Sequence, residues 1–464
     1  MNALLVLITL AQTPRLGTIS FPTSGAPAAH EAFVRGVLYL HSFEYDSAAN
    51  AFRAAQQLDT AFAMAYWGEA MTYTHPVWNQ QDMAKARAVL SRTPAPPTPR
   101  EQAYLSAVRS LYGEGGKARR DTLYANAMQQ LTADYPDDAE ARAFYALALL
   151  GLNQGVRDVA TYQRAAAIVE PILEANPNHP GAAHYLIHAY DDPAHAPLGL
   201  KAARAYSQIA PDAAHAQHMT THIFLALGMW EDVVRQNEIA AGPHRDHWGP
   251  NHYTQWLGYA LLQLGRDTEA RQLLETMRSN AQSATARGYL IRARAEYLIN
   301  AERWDDPARA WEIDRDGLGA VVLSIDAFAL GYAAAKRGDR AEARQRLAQL
   351  NEIRASARPD GPNVAPARVP AILAKELEAA ILVKQGKASQ AVTLLQEATA
   401  LEDAMPVDYG PPDVVKPSHE LLGEVLLDLL SRKDEAVREF RRALSLAPKR
   451  ARSLAGLGRA GLDL

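Results

Sequence analysis

The sequence has no cysteine. That removes disulfides, thiolate metal ligands, CxxC redox chemistry and a cysteine nucleophile together. It also has little excess of either charge: 48 Lys and Arg stand against 52 Asp and Glu in 464 residues, a net −4. Without a basic surplus or a polybasic block, neither nucleic acid nor an anionic membrane surface is an expected partner. No run of 18 apolar residues occurs, so no membrane span is expected. HExxH, GxSxG and a carboxylate pair with an acid/base rationale are missing as well. Gly456-Leu-Gly-Arg-Ala-Gly461 matches GxGxxG, but no strand pattern precedes it. Gly113-Glu-Gly-Gly-Lys117 lacks the spacing and the Ser/Thr of a phosphate loop. None of these absences excludes an enzyme.

What is present is organised periodically. The opening apolar run from Ala3 to Ala11, followed by Gln12, Thr13 and Pro14, reads as a signal peptide over residues 1–11, implying export to a periplasmic or extracellular space. Residues 12–27, rich in Pro, Gly and Ser, read as a linker. Beyond it, apolar residues recur with helical period and no alternating strand pattern appears. Gly36, Tyr39, Ala48, Phe52 and Ala55 form the first unit, with small residues letting two antiparallel helices approach and aromatics filling between pairs. Trp67-Gly68, Leu264-Gly265 with Ala270, Gly338 with Ala343, Gly386 with Ala391, and Ala436 with Phe440 and Pro448 repeat this grammar.

These spacings resemble the tetratricopeptide (TPR) family, with a period of about 34 residues. AYWGEAMTYTHPVWN, HYLIHAYDDP and HAQHMTTHIFLALGMW look like a subgroup of exported bacterial TPR proteins. The resemblance implies an all-α, right-handed superhelical TPR-like solenoid of about ten helix-turn-helix repeats, whose first helices line a concave groove. We divide it into N-terminal repeats (28–178), a His-rich central block (179–278) and C-terminal repeats (279–464). Pro94–Pro99, Gly113–Gly116, Arg354–Pro370 and Met405–Pro417 read as excursions between repeats.

Ten of the 14 histidines lie between His179 and His252. His184 and His188 are four apart, as are His218 and His222, so each pair shares one helix face. The pairs are separated by 34 residues, one repeat, and the TPR register puts both on the groove side. Imidazole suits zinc, copper, iron or nickel, and ligands from two adjacent helices suit a single ion. These four are the expected metal ligands, ahead of the alternative that they make a polar groove for a peptide or carboxylate. His215 and His252, Asp191 and Asp192, and Glu69 are further candidate ligands or groove residues, with His30 also in groove register. Tyr259 joins Tyr145, Trp248 and Trp256 near this face, mostly as packing. His75 and Trp78, in the TYTHPVWNQQD insertion, are candidates to cap the groove. His179, His244 and His247 sit beside Pro or Gly and read as surface residues; His41 and His419 have no identifiable partner. Three functions compete: a groove that binds a metal, small ligand or peptide, a metalloenzyme, and a metal-free protein-interaction scaffold.

Overall fold

The computed structural model describes residues 13–153, 156–360 and 363–462. The signal peptide expected over residues 1–11 lies outside the described residues. Among the described residues there are 22 α-helices and a single two-stranded ribbon. Twenty of the helices form ten antiparallel hairpins, from Pro27–His41 with Tyr45–Leu58 to Ser418–Leu430 with Lys433–Leu446. Ala284–Asn300 and Ala451–Arg459 belong to no hairpin and pack on the helices beside them. First helices stack on first helices: Ala139–Leu150 packs on Pro180–Ala189, which packs on Ala214–Ala226. The chain is an all-α helical-repeat solenoid.

The sequence grammar is visible as packing. A Cβ built on Gly36 would stand 2.6 Å from the Phe52 ring, and one on Gly68 only 2.3 Å from it. One phenyl ring therefore fills the gap between two hairpins only because both facing positions are glycine. Phe440 repeats the arrangement between Gly423 and Gly456. Burying such rings stabilises at roughly 25 cal/mol per Å² of apolar surface removed from water.

Two expectations are corrected. The excursion expected over Arg354–Pro370 is shorter: Arg340–Ser356 runs past Arg354, and Ala365–Lys384 starts before Pro370. Pro366 sits in that helix's first turn, where the missing N–H costs nothing, so proline there marks a start rather than a break. Residues 13–26, within the stretch read as a linker, contain no helix but are packed along the repeats. Phe21 is buried among Phe33, Trp67 and Tyr104. Thr18 N–H donates to the Asn178 carbonyl, and Ser24 N–H to Glu101.

The solenoid closes on itself at both ends. Pro27–His41 packs across onto Pro180–Ala189, bringing the turn His41–Glu44 against the His-rich block. At the other end Arg450, fully buried, donates to Glu420 at 2.8 Å and to Tyr259 at 2.9 Å, while Trp230 Nε1 donates to the Lys449 carbonyl. The last hairpins are thus fastened to the middle of the chain.

Candidate metal centre

His179 is the N-cap of Pro180–Ala189: its Nδ1 accepts the Ala182 N–H, and Pro180 opens the helix. That helix presents His184 and His188 one turn apart. The next first helix, Ala214–Ala226, presents His215, His218 and His222. His184, His188 and His215 are 0%, 4% and 6% exposed, and one ring nitrogen from each lies within 4.8 Å of the others. In all three the Nε2 atom is buried without a hydrogen-bond partner. A buried donor or acceptor left in that state costs about 1–3 kcal/mol.

His184 is oriented. Its Nδ1 is 2.6 Å from the carbonyl oxygen of His41, which can only accept, so the proton is on Nδ1 and Nε2 carries a lone pair. Metal-binding histidines show this arrangement, the second nitrogen held by a carbonyl or carboxylate. Burial drives the His184 imidazole down to about 3, and burial with mutual repulsion puts His188 and His215 well below the ordinary value of 6.5. At neutral pH all three are uncharged, the form that coordinates metal. Phe43, Tyr206 and Trp78 pack against the group and exclude water from it.

The four ligands expected from sequence divide between two places. His184 and His188 meet His215, while His218 and His222 face one another with Nε2 atoms 3.2 Å apart. His222 Nδ1 lies 2.5 Å from Asp191, and His218 Nδ1 lies 2.7 Å from the Asn237 side-chain oxygen. The two places adjoin: His188 and His222 rings are 5.9 Å apart, His215 and His218 rings 6.3 Å. His252 stands edge-on to His218 at 4.4 Å, its imidazole driven down to about 3 by burial and the nearby His222. Asp191 therefore sits behind an imidazole, while Asp192 holds Arg157 and His195.

Other candidates are engaged elsewhere. The carboxylate of Glu69 accepts from Arg53, Gln56 and Arg92, a buried anchor between two hairpins. The Tyr259 hydroxyl is taken by Arg450. His75 stacks on Tyr45 with centroids 3.9 Å apart in a small hairpin, Thr74–His75 with Gln80–Gln81. Trp78, from the same hairpin, is 36% exposed and covers His215.

His179 is not a surface residue, and His41 is not without partners. Both are buried and hydrogen-bond opposite oxygens of Glu140, at 3.2 and 2.8 Å. The Tyr185 hydroxyl, 2.9 Å from His41 Nδ1, completes the group. Burial works to raise Glu140, yet the hydrogen bonds from His179 and His41 bring it down to about 2, so it is ionised. The ionised Glu140 can only accept, so both imidazoles donate through Nε2, leaving Nδ1 of His179 to accept the Ala182 N–H and Nδ1 of His41 to accept from the Tyr185 hydroxyl. The group fixes the turn that orients His184. His419 also has partners, Glu439 and Asp403; burial opposes its charge, but these carboxylates raise it overall. His244 and His247 are exposed.

A cavity of about 980 Å³ adjoins the histidines, walled by Trp78, Asp191, His252, Trp256, Tyr289 and Tyr409. The stretch Met405–Pro417 forms one side. Tyr409 reaches His222, with centroids 5.3 Å apart, and Gly410, at φ +88°, lies flat against Trp256. Burial, with Asp413 and Asp191 nearby, pushes Asp408 up to about 6. This volume is of the size that holds small molecules.

No family model and no curated protein matches the sequence. Among solved structures, similar ones include yeast Tom70 (12% identical, 94% of this chain and 95% of that one, TM-score 0.36). The human IFIT1 dimer with m7Gppp-AAAA is 14% identical over 95% of this chain and 90% of that one, TM-score 0.38. The P58(IPK) TPR domain is 12% identical over 94% and 97%, TM-score 0.22. At that level the likeness carries nothing about ligand or partner. The hairpin order and the Gly36–Phe52–Gly68 and Gly423–Phe440–Gly456 packing make the chain, on its own evidence, an all-α helical-repeat solenoid.

Proposed function

We propose that this protein binds a transition-metal ion through His184, His188 and His215 and presents it beside a cavity for a small molecule. The observation that carries the reading is a group of three buried imidazoles, each with one ring nitrogen within 4.8 Å of the others and each with a partnerless Nε2, in which His184 is held in the coordinating tautomer by the His41 carbonyl. An ion would satisfy all three at once. Three imidazoles leave a coordination position for water or a ligand, and the donor set suits zinc, copper or iron. The chain's own contribution is orientation, exclusion of water by Phe43, Tyr206 and Trp78, and neutral imidazoles at pH 7. Export, read from Ala3–Ala11, would place metal loading outside the cytoplasm in a chain with no competing thiol.

A metal-dependent enzyme is the second reading. It is favoured by the neighbouring cavity, whose wall carries Asp408, a carboxyl raised by burial to about 6 and so able to exchange protons near neutral pH. A peptide or protein partner lying in the groove is the third, supported by the solenoid architecture alone.

The test is elemental analysis of untagged protein purified without nickel resin, then reconstituted with zinc, copper(II) or iron(II). At least one equivalent is expected, and H188A/H215A should bind one equivalent fewer. Less than about 0.2 equivalents of every metal after reconstitution overturns the reading.

A further inference from the structure

His218 and His222 present a proton-counting conflict. The Asp191 carboxylate, 2.5 Å from His222 Nδ1, accepts, so that nitrogen carries the proton and His222 Nε2 bears a lone pair. The Asn237 oxygen, 2.7 Å from His218 Nδ1, accepts likewise, leaving His218 Nε2 with a lone pair too. The orientation of Asn237 is set by Thr221. That hydroxyl gives its proton to the His218 carbonyl at 2.6 Å, so it can only accept from the Asn237 amide nitrogen, 3.5 Å away. With both imidazoles neutral, two lone pairs then face each other across 3.2 Å in a buried setting. Neutral imidazoles repel in that arrangement; a cation between them removes the conflict.

The spacing fits a metal ion. Two imidazole nitrogens bound to one ion at about 2.0–2.1 Å stand about 3.3–3.4 Å apart at a tetrahedral angle. The outer nitrogens also have the anchors of coordinating histidines, a carboxylate for His222 and an amide oxygen for His218. His252, edge-on at 4.4 Å to His218, is the nearest further imidazole on the cavity side.

We infer that His218 and His222 hold a second transition-metal ion beside the first, so that the His-rich block is a two-ion centre. Asp191 and Asn237 are positioning residues that set the imidazole tautomers. This rests on the reading that His184, His188 and His215 hold one ion, and the ring contacts of 5.9 and 6.3 Å make the two sites immediate neighbours.

Cobalt(II) titration of the full apo chain, read by visible absorption and by elemental analysis after removal of excess metal, tests it. Thermal unfolding of each apo variant verifies folding. Wild type should take two equivalents and H222Q one. N237L keeps both imidazoles but frees His218 to move its proton to Nε2 and donate to His222. It should weaken the second equivalent about 10–100-fold, whereas N237D, which keeps the acceptor, should retain it. A single equivalent, unchanged in H222Q but lost in H188A/H215A, overturns the second ion and leaves the first site standing; it is also the result if the pair shares only a proton. No equivalents at all overturns both. A second equivalent bound as tightly by N237L as by wild type overturns the tautomer argument.

Discussion

The carbonyl oxygen of His41 accepts the Nδ1–H of His184 at 2.6 Å, joining residues 143 apart in the chain. The first hairpin thereby decides the tautomer of a histidine in the fifth. His41 is in turn fixed by Glu140 and Tyr185, so the candidate centre depends on the first hairpin closing correctly onto the fourth and fifth.

Gly181 permits that closure, since a Cβ built on it would lie 2.3 Å from His41 Nδ1. Gly181→Ala should push the His41 ring off Glu140 and withdraw its carbonyl from His184. Overpacking of this kind costs about 1–3 kcal/mol. Losing the outer hydrogen bond lowers metal affinity by about 10–100-fold. Urea unfolding of apo protein and metal titration measure the two effects; unchanged metal affinity would disconnect the first hairpin from the centre.

Stability should depend on pH in a defined direction. His184 and His252 are held down to about 3, from 6.5, chiefly by burial. Between those values the unfolded chain binds protons that the folded chain does not, so stability is present above pH 6.5 and lost as pH falls toward 3. Each such group contributes a slope of about 1.4 kcal/mol per pH unit. The apo protein should therefore show a falling urea midpoint from pH 7 to 5, and H252Q a shallower fall. A flat profile would mean these imidazoles are charged or solvated in the folded state.

The repeat grammar was legible because it is local: Gly36, Phe52 and Gly68 reveal their packing by spacing alone. The helical register likewise brought His184 with His188, and His218 with His222, to one side of adjacent helices. What spacing could not reveal was superhelical closure. Glu140 gives no sign of pairing with His41, 99 residues earlier, and His179 beside Pro180 looks like a loop residue until the first hairpin covers it. His215, legible as a groove-side candidate, is the third member of the His184–His188 group because neighbouring first helices pack directly, but that it and not His218 joins them could not be read from spacing. Glu69 sits at a groove-facing register position, but Arg53 and Arg92 claim it first.

The cavity wall can be loosened separately. Gly410, at φ +88°, rests on Trp256, and a Cβ there would stand 2.5 Å from the indole. Gly410→Ala should lift the 404–417 segment and expose Trp256. Limited proteolysis should cut that segment faster and tryptophan fluorescence should shift to the red, with metal stoichiometry unchanged. Loss of metal would show that Tyr409 supports His222 more directly than its 5.3 Å ring contact implies.

The C-terminal closure rests on a buried ion pair, and its energetics can be separated from its geometry. Arg450 donates to both oxygens of Glu420, at 2.8 and 3.1 Å, and also reaches Tyr259. Removing one partner strands the other charge: R450M should cost about 3–5 kcal/mol because Glu420 keeps only Lys416 and Ser453. The pair itself is worth much less, since each charge gave up its hydration on burial. E420M/R450M should therefore be markedly more stable than R450M alone, despite carrying one more substitution. Urea unfolding of the wild type, the two single variants and the double variant closes the cycle. A double variant no more stable than R450M would mean that Glu420 is comfortable without its arginine, and that apolar packing of Trp230 and Leu457 rather than charge holds the last hairpin in place.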